Sequence, residues 1–249
     1  MKKTLFAIGF LTILKSLNAQ NTEGVILYEE TINMHRMIPD SMLKQMKGMI
    51  PETRTSQMEL YFKDDESLYK PLEDLEETQG GGGGMGFRMS GAKSETYRNL
   101  ATEKSIQQME MMGKKVLIED SLKVFPWKIT KENQKIMGYD CTKAVLTDSV
   151  RGRGRDSVMT KRIVTAWFAE SIPMAFGPNE FGTLPGCILA IDINNGERVM
   201  VAKKVELKKV KADEVKAPTK GEKMTRKEFD EKMKEFMKKN RGTRVIRQG

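Results

Sequence analysis

ILAIDINNGERVMVAKKVEL, residues 188–207, is the stretch that decides the fold. Its two arms, Ile188–Ile193 and Arg198–Leu207, are rich in β-formers. Between them Asn194-Asn195-Gly196 supplies residue types that accept the positive backbone angles of a tight turn. The stretch is therefore expected to form a β-hairpin. Upstream, Arg162–Ala169 (RIVTAWFA) is the strongest single strand signal, and Cys141–Thr147 is another, entered from Lys135–Tyr139 through Gly138. A basic turn, Arg151-Gly152-Arg153-Gly154-Arg155, separates those two, and Trp127-Lys128-Ile129 follows Pro126. Further out lie Gly24–Thr31, then Met58–Phe62 and Ser67–Lys70 around the turn at residues 63–66. Glu95–Leu100, Ser105–Met112 and Lys114–Ser121, the last two joined at Gly113, complete the set. Strand follows strand over short links with no helix between, which requires antiparallel pairing. The expected fold is mainly β: a curved antiparallel sheet with a short helix in the N-terminal half and an amphipathic helix at the C-terminus.

Three segments depart from the strand pattern. Met42, Leu43, Met46, Met49 and Ile50 recur at helical spacing before Pro51, which predicts the short helix. Residues 71–93 lose all periodicity around Gly80–Gly84 and read as a flexible insertion. They lack the strand before and the Lys-Ser/Thr after that a phosphate loop needs. Residues 208–224 carry no pattern and read as a tether within a chain whose β domain spans 20–207. From 225 to 241 the signals are helical. Thr225 and Glu228 form a capping box, Met224 can staple to Phe229, and Phe229, Met233, Phe236 and Met237 make an apolar stripe. Asn240-Arg241-Gly242 reads as its stop. The stripe either docks on the sheet or binds a partner.

Residues 1–19 read as a cleaved signal peptide. Lys2 and Lys3 precede an apolar run from Leu5 to Leu14, and Ser16 to Ala19 form a small-residue exit. The run is too short to span a bilayer, which takes roughly 20 residues, and no later segment is apolar enough to cross one. The expected location is outside the cytoplasm, periplasmic or associated with the outer membrane or cell surface. Cleavage removes Lys2, Lys3 and Lys15 from a chain of formal charge +9. Much of the remaining basic excess lies after Lys203. In that compartment it serves plain solubility first, or an acidic surface, rather than nucleic acid, and no stretch interleaves aromatics with Lys or Arg as a base-stacking groove would. The two cysteines, Cys141 and Cys187, either bridge or sit as separate buried thiols.

The sequence offers little to a catalyst. His35 is the single histidine, and no Gly-x-Ser-x-Gly elbow accompanies it. The paired acids Glu29-Glu30 and Asp64-Asp65-Glu66 read as solvated turns or as opposite faces of a strand. No enzyme activity and no cofactor are expected. Met34, His35 and Met37 form a compact soft-ligand cluster of the kind that suits Cu(I). Methionines at such spacing also serve as ordinary core filler.

Residues 179–197, NEFGTLPGCILAIDINNGE, resemble the signature of the GLPGLI family, with Thr183 for its first Gly and Cys187 for its second Leu. Further blocks are similar to that family: Gly24-x-Ile26-x-Tyr28-Glu29, Leu68-Tyr69-Lys70, Trp127-x-Ile129, Ile136-x-Gly138-Tyr139-x-Cys141, Ala166-Trp167-Phe168 and Thr225-Arg226-x-Glu228-Phe229. The resemblance implies an exported, β-rich bacterial protein whose molecular role is largely undefined. It also implies that Cys141 holds a familiar position and that Cys187 does not, so a bridge would belong to this chain alone. Gly182, Leu184, Pro185, Gly186 and Ile188 form the signature loop. Pro185 presets its backbone angle and Gly186 permits one that other residues avoid, so the loop reads as a corner or as a rigid surface for a partner. The expected function is non-catalytic: a binding or accessory module for an outer-membrane or envelope protein. A Cu(I)-binding protein and a carrier of an apolar ligand on a concave sheet are the alternatives.

Overall fold

The computed structural model describes residues 22–38, 43–44, 48–72, 94–111, 113–151 and 159–245. The expected signal peptide, most of the Met-rich helix, the Gly-rich insertion and the basic turn after Arg151 lie outside these residues. Of the helix, Leu43 and Lys44 are described and helical, while Met49 is 81% exposed.

Twelve strands make one sheet. The first half runs β1 (Glu23–Asn33), β2 (Thr53–Lys63), β3 (Glu66–Pro71), β4 (Glu95–Asn99), β5 (Lys104–Met111) and β6 (Lys114–Ser121). The second runs β7 (Lys128–Ile136), β8 (Tyr139–Arg151), β9 (Met159–Ala169), β10 (Cys187–Ile193) and β11 (Arg198–Glu206). Each half is an antiparallel meander, and β11 pairs with β1 to fuse them. The hairpin that opened the sequence reading is present, with Asn194, Asn195 and Gly196 all at positive φ. Mainly β with a helix near the C-terminus, the architecture is the one expected from the strand pattern.

Register assigns the faces, because directly paired residues share a side of the sheet. Tyr28 opposes Met58 and Ala202, Ile26 opposes Leu60, and Leu60 opposes Tyr69. Met200, Ile191, Ala166 and Ala144 continue that inner face across β11 to β8. What covers it is the connection between β9 and β10. Ile172, Met174 and Phe176 pack on the Tyr28–Leu60 side, and Phe181 and Leu184 on the Ala166–Ile191 side.

The opposite face carries a second apolar row, Val25, Tyr61, Leu68, Tyr97 and Ile106, one residue from each of β1 to β5. Val210 and Val215 are buried against it, with Ala217 beside them. Residues 208–224, read from sequence as a tether, are thus a strap that crosses five strands. Its end, Glu222–Thr225, forms β12, parallel to β6 at the sheet's edge. Two buried valines five residues apart make no period, so the sequence shows no sign of the contact. The chain then rounds the edge into helix α1 (Arg226–Val245), whose Phe229 packs near Val116, Ile118 and Met224. The capping box forms, with Thr225 N–H donating to Glu228 (2.7 Å) and Glu228 N–H to Thr225 Oγ1 (3.2 Å). Asn240-Arg241-Gly242 does not stop the helix, which runs on to Val245. Gly is costly in a helix interior, about 1 kcal/mol against Ala, but not prohibitive.

Candidate functional site

The signature loop is inside the protein. Leu184 is 2% exposed, Gly182, Gly186 and Ile188 are buried, and of the five signature residues Pro185 alone is exposed. The glycines are there for space. A Cβ on Gly186 would lie 2.4 Å from the Ala169 carbonyl oxygen, and one on Gly182 would lie 2.6 Å from that of Ala175. Gly186 does not take the left-handed angle expected of it. The positive φ falls instead at Thr183 (63°) and Asn179 (54°). Main-chain bonds then knit the loop to itself and to β10: Thr183 N–H to Ala175 O (3.0 Å), Cys187 N–H to Ile172 O (2.9 Å) and Ile188 N–H to Phe176 O (2.9 Å).

Two side chains from the sheet fasten it: Tyr28, which the sequence placed only within a family-like block, and Arg98, which it did not single out. Arg98 of β4, 4% exposed, donates to the carbonyls of Phe181 (2.5 Å) and Gly177 (2.7 Å), with its guanidinium 5.5 Å from the Phe176 ring. Burial lowers its pKa to about 10, against the opposing pull of Cys187, Tyr28 and Glu180, and it remains a cation at neutral pH. Tyr28 of β1 donates to the Ile188 carbonyl (2.6 Å). The signal for Arg98 was its alternation with Thr96, but nothing local says which face is covered, or by what. On the loop's outer side Glu180 accepts from Lys123 (2.7 Å) and Arg162 (3.1 Å), and Trp127 Nε1 donates to Gly182 O (2.9 Å).

Cys141 and Cys187 are free thiols. They lie on β8 and β10 with β9 between them. Two strand spacings put the backbones roughly 10 Å apart, beyond the ~7 Å reach of a disulfide. Desolvation raises both, Cys141 to about 11 and Cys187 to about 12.

Met34, His35 and Met37 fall in and beside a single 3-10 turn, His35–Met37. His35 Nε2 donates to the Ile50 carbonyl (2.9 Å), which fastens the turn to the segment before β2 and leaves Nδ1 as the ring nitrogen open to a ligand. The helix stripe is divided. Phe229 is half-buried under the Arg226 guanidinium (5.8 Å), Met233 is half-buried, and Phe236 is 37% exposed. The Met237 side chain lies outside the described residues. Between α1 and strands β5 and β6 runs a groove of about 1240 Å³, lined by Ser105, Asp120, Thr225, Arg226, Asp230 and Lys234. Its charges are of both signs. Among the described residues no three His, Cys, Asp or Glu side chains come together to hold a metal.

Residues 127–190 match a family described as a protein of unknown function (Porph_ging). The matched span runs from Trp127 through the signature loop to Ala190, the part that Arg98 and Tyr28 clasp. No curated protein matches the chain. Two crystal forms of PNGF-II are similar in fold, at 16% and 15% identity and TM-scores of 0.53 and 0.54, each covering 84% of this chain. This chain spans 32% and 33% of those longer chains. LprF from Mycobacterium bovis is 9% identical at a TM-score of 0.31, over 81% of this chain and 92% of its own. The sequence match points to a family without a defined role, in line with the resemblance noted in the sequence. The PNGF-II likeness concerns the fold alone. No helix among the described residues is long and apolar enough to cross a membrane.

Proposed function

We propose that the protein is an exported, non-catalytic binding module of the cell envelope, an accessory to an outer-membrane partner that it meets through its terminal helix. One observation carries this reading: the apolar stripe of α1 is seated at Phe229 and exposed at Phe236. A helix serving the fold alone would bury its stripe along its length. The alternatives have less support. An apolar-ligand carrier needs an open sheet face, and here Ile172, Phe176, Phe181 and Leu184 fill it. A Cu(I) site would have to take His35 through Nδ1, since Nε2 is held by the Ile50 carbonyl, with Met34 and Met37 as its only nearby soft ligands in the sequence.

The test is mild crosslinking in intact cells followed by capture of the tagged protein. The expected outcome is one stoichiometric outer-membrane partner, lost with Phe236→Ser and retained with a surface control such as Lys161→Gln. Capture of no partner, or of one indifferent to Phe236, would remove the reading.

A further inference from the structure

The β8–β9 hairpin outruns its neighbours. β7 pairs with β8 no further than Val145, and β10 pairs with β9 no further than Val164. Beyond those points residues 147–151 and 159–163 pair with each other alone. A two-stranded ribbon is marginal in water. This one is braced on one face, where Arg162 donates to Asp148 (2.6 Å) and Glu180 (3.1 Å). At the root of its β9 edge Asn194 takes the last place in the line of β10. Its N–H donates to the Ile163 carbonyl (2.8 Å), and its Oδ1 accepts from the Ile163 N–H (3.0 Å). The chain then turns away. In an antiparallel strand the N–H and C=O of one residue point to the same side, and successive residues to opposite sides. Ile163 faces the β10 side, so Lys161 and Met159 do too, while Arg162 and Thr160 face their partners Asp148 and Val150 on β8. Among the described residues no backbone group meets Met159 or Lys161 on the open side.

Beside this edge lies a notch of about 300 Å³, lined by Lys161, Ile163, Thr165, Asp192, Asn194 and Asn195. Met159 and Ile163 are 57% and 43% exposed. The Asp192 carboxylate already accepts from the Gly196 N–H (2.6 Å), and Asn194 Nδ2 donates to Glu197 (2.7 Å). Among the described residues the Lys161 ammonium has no ion-pair partner. The ribbon keeps an unbroken register and sets one lysine on its open edge, so it lacks the devices that blunt a strand against pairing.

We infer that the β9 edge at Met159–Lys161 receives an extended peptide, which lengthens the sheet antiparallel to β9 and sets a carboxylate side chain against Lys161. Backbone bonds to Met159 and Lys161 supply the affinity and the notch supplies the selectivity, as in strand addition generally. The added strand must start beside Asn194, so its acid falls at the first or second residue. A second copy of this edge is disfavoured, because it brings another Lys161 to the same cation. The site is separate from the helix contact proposed above and does not rest on it.

The experiment is hydrogen exchange of the full exported protein, read amide by amide by NMR, with and without the blocked peptide Ac-Thr-Glu-Thr-Val-Thr-NH2. In the free protein Lys161 should exchange faster than Arg162, whose backbone is paired with Asp148. Peptide at about ten times its Kd should slow Met159 and Lys161 about tenfold. The counterpart with Lys in place of Glu should bind about tenfold more weakly. The peptide N-methylated at Glu should not bind, and Lys161→Glu, checked for folding by thermal melts, should reverse the preference between the Glu and Lys peptides. No protection by the Glu peptide, equal exchange at Lys161 and Arg162 in the free protein, or a preference unmoved by Lys161→Glu would overturn the inference. Lys161→Gln should weaken the peptide and keep a partner captured through Phe236. Peptide binding without a captured partner would remove the helix reading alone, and capture without peptide binding would remove this one alone.

Discussion

At the residue scale the loop over the inner face depends on a few atoms. Arg98 is one of these, through two buried carbonyls. Replacing it with Met leaves the Gly177 and Phe181 carbonyls buried without their donors, at about 1–3 kcal/mol for each group. We expect Arg98→Met to lower the urea midpoint by the equivalent of about 2–4 kcal/mol in equilibrium unfolding. Gly186→Ala forces a Cβ against the Ala169 carbonyl and should cost about 1–3 kcal/mol, whereas Pro185→Ala at the exposed position should cost well under that. The thiols give a pH dependence. Both are raised above the usual 9.0 by burial, so the neutral form is favoured in the folded state. Their contribution is complete below pH 9 and is lost as pH rises toward about 11 for Cys141 and about 12 for Cys187, because the unfolded chain gives up its protons first. Denaturation midpoints measured between about pH 8 and about pH 10.5 should therefore fall, and the fall should be shallower in Cys141→Ala/Cys187→Ala.

At the element scale the strap is the feature that separates pattern from structure. Its valines close the outer row on β1 to β5, and its last four residues lengthen the sheet by a parallel strand. Val215→Ala should cost about 1.5–3 kcal/mol, measured by denaturant unfolding, and truncation after residue 207 should destabilise the sheet as a whole. A free tether would allow both changes without effect. The terminal helix behaves differently, since its start was legible: the capping box and the Met224–Phe229 staple are local, four or five residues wide. Its end was not. A Gly two residues past Asn240 is a stop only if the chain turns there, and the helix continues through it. The helix therefore begins where its capping signals put it and runs past the end the sequence suggested.

For the whole molecule, the open sheet leaves two edges. One is the four-residue β12, and the other is the nine-residue β7, KITKENQKI. A register shift between Ile129 and Asn133, together with Lys128, Lys131 and Lys135, interrupts β7 as a template for a foreign strand. Lys131→Val/Lys135→Val should raise concentration-dependent association, read by light scattering, without lowering the monomer's melting temperature. By itself the sequence determined the strand-rich class, the antiparallel connections, the Asn-Asn-Gly hairpin and the beginning of the terminal helix. Each follows from side-chain period and turn chemistry within a few residues. Only the tertiary structure decided that β1 pairs with β11 across the chain's length and that the signature loop fills the sheet. The same holds for Arg98's bonds to carbonyls some 80 positions away and for the strap crossing the far face. These contacts form between surfaces that neither segment carries in its own pattern, and a covering segment of irregular backbone has no period to announce which face it will cover.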